Sequence, residues 1–155
     1  MRGPNGEELP GAILFACTLN AVRSPMAAAI MRQLYGKFVF VDSVGARPSK
    51  TNPELDPLVV EVLDEIGVEI GKHKPKRFED LEDTSFDIIV TLSPEAHHAA
   101  MELTRTSAAE VEYWRTFDPT VVEGSRDQRL DAYRLVRDEL LRRIRGRFAV
   151  DRAAD

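Results

Sequence analysis

The sequence is poor in cysteine and has no long apolar run. Its 155 residues include one cysteine, Cys17. One thiol cannot close an internal disulfide, and it excludes zinc sites built on a pair of cysteines. No stretch has the length and apolarity of a membrane span, and the first residues do not resemble a signal peptide. We therefore expect a cytoplasmic protein in a reducing compartment, with no dependence on a membrane.

Positive charge is also in deficit, because the formal net charge is −5. Lysine and arginine are not gathered into one long run, which argues against a nucleic acid as the main partner. An anionic substrate is still allowed, since the geometry of a single loop can overcome the net charge locally. The length and mixed composition predict one domain over residues 1–155, with flexible ends at 1–10 and 151–155. They leave the oligomeric state open.

The chain alternates apolar runs with segments of helical periodicity. This alternation predicts a three-layer α/β fold in which helices cover both faces of a parallel sheet. The predicted strands are residues 11–16, 37–43, 86–92 and 111–114. The predicted helices are 24–35, 58–66, 94–103 and a long last helix from 126 or 127 to 148.

A loop that begins at Cys17 follows the first predicted strand and leads into the first helix at Pro25. Proline is tolerated in the first turn of a helix, where its missing N–H costs nothing. Successive amides of such a loop can surround an oxyanion, and the guanidinium of Arg23 can bind two of its oxygens. The same positive field favours a thiolate at Cys17. These residues predict a cysteine-dependent phosphatase.

Polar residues follow three of the predicted strands. Cys17 comes after the first strand, Ser43 ends the second and Asp118 follows the fourth. Ligand sites of parallel sheets lie at the carboxyl ends of the strands, so these residues can meet there. Cleavage of a phosphate monoester needs a nucleophile, positive charge around three oxygens and a proton for the leaving group. Asp118 can supply the proton, and Arg23 with the loop amides supplies the charge, so we expect neither metal nor cofactor.

The motifs resemble those of a known family. Cys-x5-Arg-Ser-Pro follows the first strand, and Asp118-Pro119 occurs late in the chain. Between them, residues 43–46 resemble the Ser-Ala-Gly-Thr segment of that family, and residues 67–77 its Gly-x5-His-x2-Arg stretch. Over about residues 12–148 the chain thus resembles the low-molecular-weight protein tyrosine phosphatases and the thiol-dependent arsenate reductases of the same fold.

The resemblance implies a flavodoxin-like fold with a four-stranded parallel sheet in the order 2-1-3-4. It implies that Cys17 is the nucleophile, that Arg23 binds the phosphate and that Asp118 is the general acid and then the general base. The residues implied to surround the phosphate are Thr18, Leu19, Asn20, Ala21, Val22 and Ser24. Those implied to hold the loop in shape are Asn20, Ser24, Ser43 and His73.

Three positions depart from the family pattern. Leu19 stands where the family has glycine, and a left-handed backbone there would cost about 1–2 kcal/mol. Val22 replaces a second cysteine that is common in the family. Thr120 stands where many relatives have tyrosine, and residues 47–52 include no aromatic side chain. The aromatic walls that would hold a phosphotyrosine ring are therefore reduced.

Three functions remain open at this stage. The first is a phosphomonoesterase that acts on a phosphorylated protein or a small aryl phosphate. The second is an arsenate reductase that uses an external small thiol, because a relay of internal cysteines needs more than one cysteine. The third is a relative that binds inorganic phosphate or arsenate with weak turnover.

Other side chains have structural interpretations. His97 and His98 are adjacent on a predicted helix and cannot face one ligand together, which argues against a metal site. The basic residues between Lys72 and Arg77 favour a solvated face over a docking patch for anionic partners. Tyr113 and Trp114 are expected in the core or at the sheet edge.

Overall fold

A computed structural model describes residues 9–50, 54–82 and 85–148 of the chain. Four strands and four α-helices alternate, as the sequence predicts. The strands are β1 (Ala12–Cys17), β2 (Phe40–Gly45), β3 (Ile88–Thr91) and β4 (Glu110–Tyr113). The helices are α1 (Arg23–Tyr35), α2 (Pro57–Asp64), α3 (Pro94–Leu103) and α4 (Arg126–Arg147). Short 3₁₀ turns occur at Phe78–Asp80, Thr104–Thr106 and Pro119–Val121.

The strands form one parallel sheet in the order β2-β1-β3-β4, which confirms the predicted order. In the register of the sheet, Ile13 of β1 lies between Val41 of β2 and Ile88 of β3. Because the sheet is parallel, the carboxyl ends of all four strands lie at one edge. Cys17 and Gly45 are paired at that edge.

Alternate residues of β1 contribute to two hydrophobic layers, one on each face of the sheet. Ile13 and Phe15 pack into the layer that contains the apolar side chains of α1, α2 and α4. Leu14 and Ala16 pack into the layer on the other face, which contains Ala96 of α3. Helices therefore cover both faces, and the three-layer flavodoxin-like fold is confirmed.

The bounds of β2 differ from the predicted strand 37–43. Its start is later because the amides of Phe38 and Val39 both donate to the carbonyl of Tyr35, which closes a turn after α1. Its end is later because the ladder with β1 continues to Gly45. The shift brings Gly45 beside the loop that follows β1.

The two ends of the chain fall mostly outside the described residues. The flexible tail expected at 151–155 lies wholly outside them, as do residues 1–8 of the expected flexible leader. Leu9, which belongs to the expected leader, has its side chain buried in the core.

None of the helices in the described ranges combines the length and the apolar composition needed to cross a membrane.

Candidate active site

The loop of residues 17–24, which we call the cysteine loop, surrounds the sulfur of Cys17 with hydrogen-bonding groups. The amides of Asn20 and Ser24 donate to the sulfur at 3.2 and 3.4 Å. The hydroxyl oxygen of Ser24 lies 2.9 Å from it. The side chain of Cys17 is buried, so these groups replace the water that would otherwise solvate a thiolate.

The hydroxyl of Ser24 has one proton and two acceptors within reach. It can donate to the carbonyl oxygen of Val44 at 3.2 Å, or it can turn to the sulfur of Cys17. With the first choice, the thiol donates to Ser24; with the second, Ser24 donates to a thiolate. Rotation of this one hydroxyl therefore fits both protonation states of the cysteine.

Asn20 joins the cysteine loop to the sheet. Its side-chain amide donates to the hydroxyls of Ser24 and Ser43 at 2.8 and 3.0 Å. Its side-chain oxygen accepts from the amide of Lys76 at 3.0 Å. Asn20 is fully buried, and its φ of 57° lies in the left-handed region, where asparagine is better tolerated than most residues.

His73 contacts the same loop from outside the sheet. Its Nε2 lies 2.9 Å from the carbonyl oxygen of Asn20 and must be the donor, because a carbonyl only accepts. Burial lowers the pKa of His73, and the charges of Lys76 and Arg32 lower it further. The lowered pKa favours the neutral imidazole, which can still donate this bond through Nε2.

Leu19 does not have the left-handed backbone that would have strained it. Within the described ranges, Asn20 alone among the non-glycine residues has a positive φ, so the conditional strain at Leu19 does not arise. The side chain of Leu19 is 42% exposed at the cleft. Position 45 requires a glycine, since a Cβ there would lie 2.8 Å from backbone atoms of both Leu19 and Asn20.

No side chain caps the first turn of α1. Its N-cap residue, Val22, makes no side-chain capping bond, whereas Asp56 caps α2, Ser93 caps α3 and Ser125 caps α4. Because no side chain neutralises it, the positive end of the helix dipole makes this end attractive to an anion.

Arg23 and Asp118 approach each other across the site. The Arg23 guanidinium is nearly buried and donates from Nη1 to the carbonyl of Thr116 at 3.0 Å. Its Nη2 lies 4.0 Å from Oδ2 of Asp118. The other carboxylate oxygen of Asp118 accepts from the amide and the hydroxyl of Thr120 at 3.0 and 2.7 Å. Oδ2 is the oxygen of Asp118 left to face Arg23.

A cleft of about 920 Å³ opens over the cysteine loop. Its floor and walls include most of the site residues predicted from the sequence, and no aromatic side chain lines it among the described residues. Asn20, Ser24, Ser43 and His73 lie outside the lining and support it through the hydrogen bonds given above. The predicted residues that line the cleft are Cys17, Thr18, Leu19, Ala21, Val22, Arg23 and Asp118.

No motif in the sequence marks Glu95, yet it lies at this cleft. The hydroxyl of Thr18 donates to it at 3.0 Å and lies equally close to Ser93. A hydrogen bond from its own backbone amide and the bond from Thr18 lower the pKa of Glu95. The charges of Arg47 and Arg23 add to this shift. Glu95 is therefore a charged group that ties the first turn of α3 to the cysteine loop.

Asp56 is a second residue that the sequence did not single out. Its amide donates to the carbonyl of Ala21 at 3.1 Å, and its carboxylate caps α2 through the amide of Leu58. Tyr133 of α4 donates its hydroxyl to the other oxygen of Asp56 at 2.6 Å. Burial and this hydrogen bond raise the pKa of Tyr133. The pair holds α2 and α4 against the cysteine loop.

The histidine and the aromatic residues with structural interpretations are not among the residues that line the cleft. Trp114 is buried and packs edge to face against Phe15, while Tyr113 stacks on His97 at the edge of the sheet. These positions confirm the predicted core and edge roles. The Nδ1 of His97 lies 3.0 Å from the hydroxyl of Thr91.

Known proteins resemble this chain over most of its length. The family model described as low molecular weight phosphotyrosine protein phosphatase matches residues 12–148. An arsenate reductase of Halalkalibacterium halodurans is 30% identical over 133 residues, which are 86% of this chain and 91% of that protein. A low molecular weight protein-tyrosine-phosphatase of Streptomyces coelicolor is 31% identical over 122 residues, 74% of each chain.

A solved structure shares the architecture as well. The low molecular weight protein tyrosine phosphatase from T. tengcongensis superposes with a TM-score of 0.68 at 25% identity, and the match covers 86% of this chain and 94% of that one. The matched family model spans the segment on which the motifs had suggested a resemblance. This chain belongs to the low molecular weight phosphotyrosine protein phosphatase family.

Proposed function

We propose that this protein is a cysteine-dependent phosphomonoesterase that works through a phosphocysteine intermediate. The observation that supports this most is the sulfur of Cys17, buried at the base of the cleft and within hydrogen-bonding distance of two amides and a hydroxyl. A thiolate at this position lies beside the first turn of α1, which no side chain caps and where a phosphate dianion would bind. The thiol chemistry suits a reducing compartment, and we propose the cytoplasm.

In the first step the thiolate of Cys17 attacks phosphorus. A sulfur–phosphorus bond forms, and the ester bond breaks with its electron pair on the leaving oxygen. Asp118 donates the proton that this oxygen needs, from Oδ2, because Thr120 occupies Oδ1. Arg23 and the loop amides of Thr18, Leu19, Asn20, Ala21, Val22 and Ser24 bind the three equatorial oxygens.

In the second step water attacks the phosphocysteine. Asp118, now ionised, accepts a proton from the water, and the sulfur leaves with the electron pair of the broken bond. Ser24 can turn its hydroxyl proton toward the departing sulfur, since the two atoms are 2.9 Å apart. Inorganic phosphate is the product, and the thiolate is restored.

The substrates we propose are phosphorylated proteins and small aryl phosphates. The cleft is large enough for an aromatic ring, but the described residues that line it provide no aromatic wall. Binding of the ring therefore depends on aliphatic contacts such as Leu19, and the phosphate carries most of the affinity.

Hydrolysis of p-nitrophenyl phosphate tests the proposal. We expect release of p-nitrophenol by the wild-type protein and loss of more than about a thousandfold in Cys17→Ser, because the hydroxyl is a far weaker nucleophile. Binding of inorganic phosphate by Cys17→Ser provides the control that the site is intact. Equal turnover by both proteins would contradict the proposal.

Arsenate reduction is a second candidate, favoured by the 30% identity to an arsenate reductase over most of both chains. Cys17 would attack arsenic with loss of a hydroxide, and two molecules of an external small thiol would supply the two electrons and leave as a disulfide, since the sequence contains no second cysteine. Production of arsenite that depends on added thiol, without hydrolysis of phosphate esters, would favour this candidate over the first.

A further inference from the structure

Four carbonyl groups of the cysteine loop accept hydrogen bonds from donors that lie outside the loop. The pairs are the Ala46 amide to Cys17, the Arg47 amide to Thr18, Nε2 of His73 to Asn20 and the Asp56 amide to Ala21. A trans peptide points its C=O and its N–H in opposite directions, and none of the described peptide bonds is cis. The N–H that follows each of these carbonyls therefore points away from the outer donor.

The donor to Ala21 belongs to the junction of the cysteine loop with α2 and α4. Asp56 precedes α2, and its Oδ1 caps that helix by accepting from the amide of Leu58 at 2.9 Å. Its Oδ2 accepts from the hydroxyl of Tyr133 of α4 at 2.6 Å. Tyr133 is 2% exposed and packs in the core layer of α1, α2 and α4. Two bonds on one carboxylate therefore hold the backbone of Asp56, whose amide meets the carbonyl of Ala21 at 3.1 Å.

The N–H of Val22 belongs to the same peptide group as the carbonyl of Ala21. Because that carbonyl is held toward Asp56, the N–H of Val22 points the other way. Ala21 and Val22 both line the cleft, and Val22 is the N-cap residue of α1. An amide at the positive end of a helix dipole is well suited to donate to an oxygen of an anion.

We propose that Tyr133 and Asp56 are positioning residues that aim the N–H of Val22 at a phosphate bound in the cysteine loop. The inference rests on the proposed function for the identity of the anion. Both oxygens of Asp56 already accept hydrogen bonds, so its carboxylate acts through the backbone and not on the substrate. Without the hydroxyl of Tyr133, Asp56 is held less firmly, and the peptide group of Ala21 and Val22 is no longer fixed before the anion arrives.

Titration of isotope-labelled protein with inorganic phosphate, followed by NMR, tests this role. In the wild-type protein the amide proton of Val22 should move downfield as phosphate binds, because it donates to an anionic oxygen. In Tyr133→Phe we expect most of that shift to be lost and the Kd for phosphate to rise about tenfold. The amide of Leu19 should keep its shift, since the carbonyl of Thr18 still accepts from Arg47. An unchanged Val22 shift and an unchanged Kd would overturn the proposal.

Tyr35→Phe is the matched control. Tyr35 is also buried in the same core layer, and its hydroxyl donates at 2.6 Å to the carbonyl of Phe148. It is the last residue of α1, at the opposite end of that helix from the cysteine loop. We expect this variant to lose stability but to keep the wild-type Kd for phosphate and the Val22 shift. An equal loss of affinity in both tyrosine variants would assign the effect to a loosened core and overturn the proposal.

Asp56→Ser separates the cap of α2 from the bond to Tyr133. A serine hydroxyl can still accept from the amide of Leu58, but it cannot also reach the hydroxyl of Tyr133. We expect the same loss of phosphate affinity as in Tyr133→Phe, and no further loss when the two substitutions are combined. Losses that add in the double variant would contradict a pathway that leads from Tyr133 through Asp56.

The two proposals can fail separately, because phosphate binding needs no turnover. If the wild-type protein hydrolyses no phosphate ester but Tyr133→Phe binds phosphate more weakly and loses the Val22 shift, the phosphatase proposal fails and the positioning role stands. If hydrolysis occurs and Tyr133→Phe binds phosphate as tightly as the wild-type protein, the positioning role fails. Absence of phosphate binding by the wild-type protein would also overturn the positioning role.

Discussion

At the scale of single residues, Asn20 decides the shape of the cysteine loop. It combines a left-handed backbone with side-chain bonds to Ser24, Ser43 and the amide of Lys76. A loop that binds an anion with its amides must hold them in place before the anion arrives. Asn20 supplies this preorganisation from a fully buried position.

Two substitutions at Asn20 separate its backbone role from its side-chain role. Asn20→Gly keeps access to a φ of 57° but loses the side-chain bonds, while Asn20→Ala loses both. We expect both variants to bind phosphate more weakly, and the alanine variant to be less stable than the glycine variant by about 1 kcal/mol. Chemical denaturation and phosphate titration measure these effects. Equal stabilities would contradict a left-handed requirement at this position.

Leu19 offers a test of strain in the loop. Because its φ is not positive, Leu19→Gly relieves nothing and adds backbone entropy to the unfolded chain. We expect about 0.5–1 kcal/mol lower stability and no gain in kcat on p-nitrophenyl phosphate. A gain of tenfold or more would indicate that Leu19 restrains turnover, as expected of a relative specialised for anion binding.

Residues in recognisable motifs could be predicted, and two residues without a motif, Glu95 and Asp56, could not. Cys17 and Arg23 belong to one loop with a recognisable spacing. The roles of Glu95 and Asp56 depend on contacts with Thr18 and Ala21, far away in the sequence. An acidic residue in the first turn of a helix, or before a proline, is usually a cap, so neither position has a signal of its own.

At the scale of elements, α4 is joined to α2 by a cluster centred on Glu65. Arg134 and Arg137 both donate to its carboxylate, and Arg137 also donates to the carbonyl of Val62. These hydrogen bonds lower the pKa of Glu65 to about 2. The cluster joins the two helices that Asp56 and Tyr133 hold against the cysteine loop.

The cluster predicts an acid-dependent change in stability. Since the pKa of Glu65 is lower in the folded protein than its ordinary 4.5, the ionised carboxylate stabilises the fold above about pH 4.5. That contribution is lost as the pH falls toward 2. We expect Glu65→Gln to be less stable than wild type at pH 7, with the difference shrinking below pH 4.5.

Urea denaturation of both proteins at several pH values measures this difference. Glu69→Gln is a suitable control, because Glu69 is exposed and forms no ion pair among the described residues. A difference between Glu65→Gln and wild type that stays constant from pH 7 to pH 3 would rule out the ionic origin.

The elements themselves were predictable, and their bounds were less so. Helix α3 runs from Pro94 to Leu103 as predicted, and Ser93-Pro94 is a strong signal for its start. The start of β2 was displaced because Phe38 and Val39 are apolar enough for a strand, yet their amides close the turn after α1. The periodicity of a sequence indicates which positions are apolar, but it does not predict which carbonyl accepts a hydrogen bond from a given amide.

At the scale of the whole molecule, the alternation of strands and helices was sufficient to predict the three layers. The strand order came from the family resemblance.

The sequence contains one cysteine, so an oxidised Cys17 cannot form a disulfide with a second thiol of the same chain.

Peroxide treatment should reveal this consequence. We expect Cys17 to be oxidised to the sulfenic acid and to recover activity only when a small external thiol is added promptly. Longer exposure should give the sulfinic acid and permanent loss. Mass spectrometry of the Cys17 peptide distinguishes the states, and recovery by dilution alone would contradict the prediction. Bound phosphate should slow the oxidation, because it covers the sulfur.

The central claim is that Cys17 carries the phosphoryl group during turnover. In Asp118→Ala, p-nitrophenyl phosphate should still phosphorylate Cys17, because p-nitrophenolate is stable without a proton from a general acid. The attack of water on the phosphocysteine should be slower, because the general base is missing. Acid quenching of this variant during turnover, followed by mass spectrometry, should find one phosphoryl group on the Cys17 peptide. Continued release of p-nitrophenol with no phosphoryl group on that peptide, or with the group on another residue, would contradict the account.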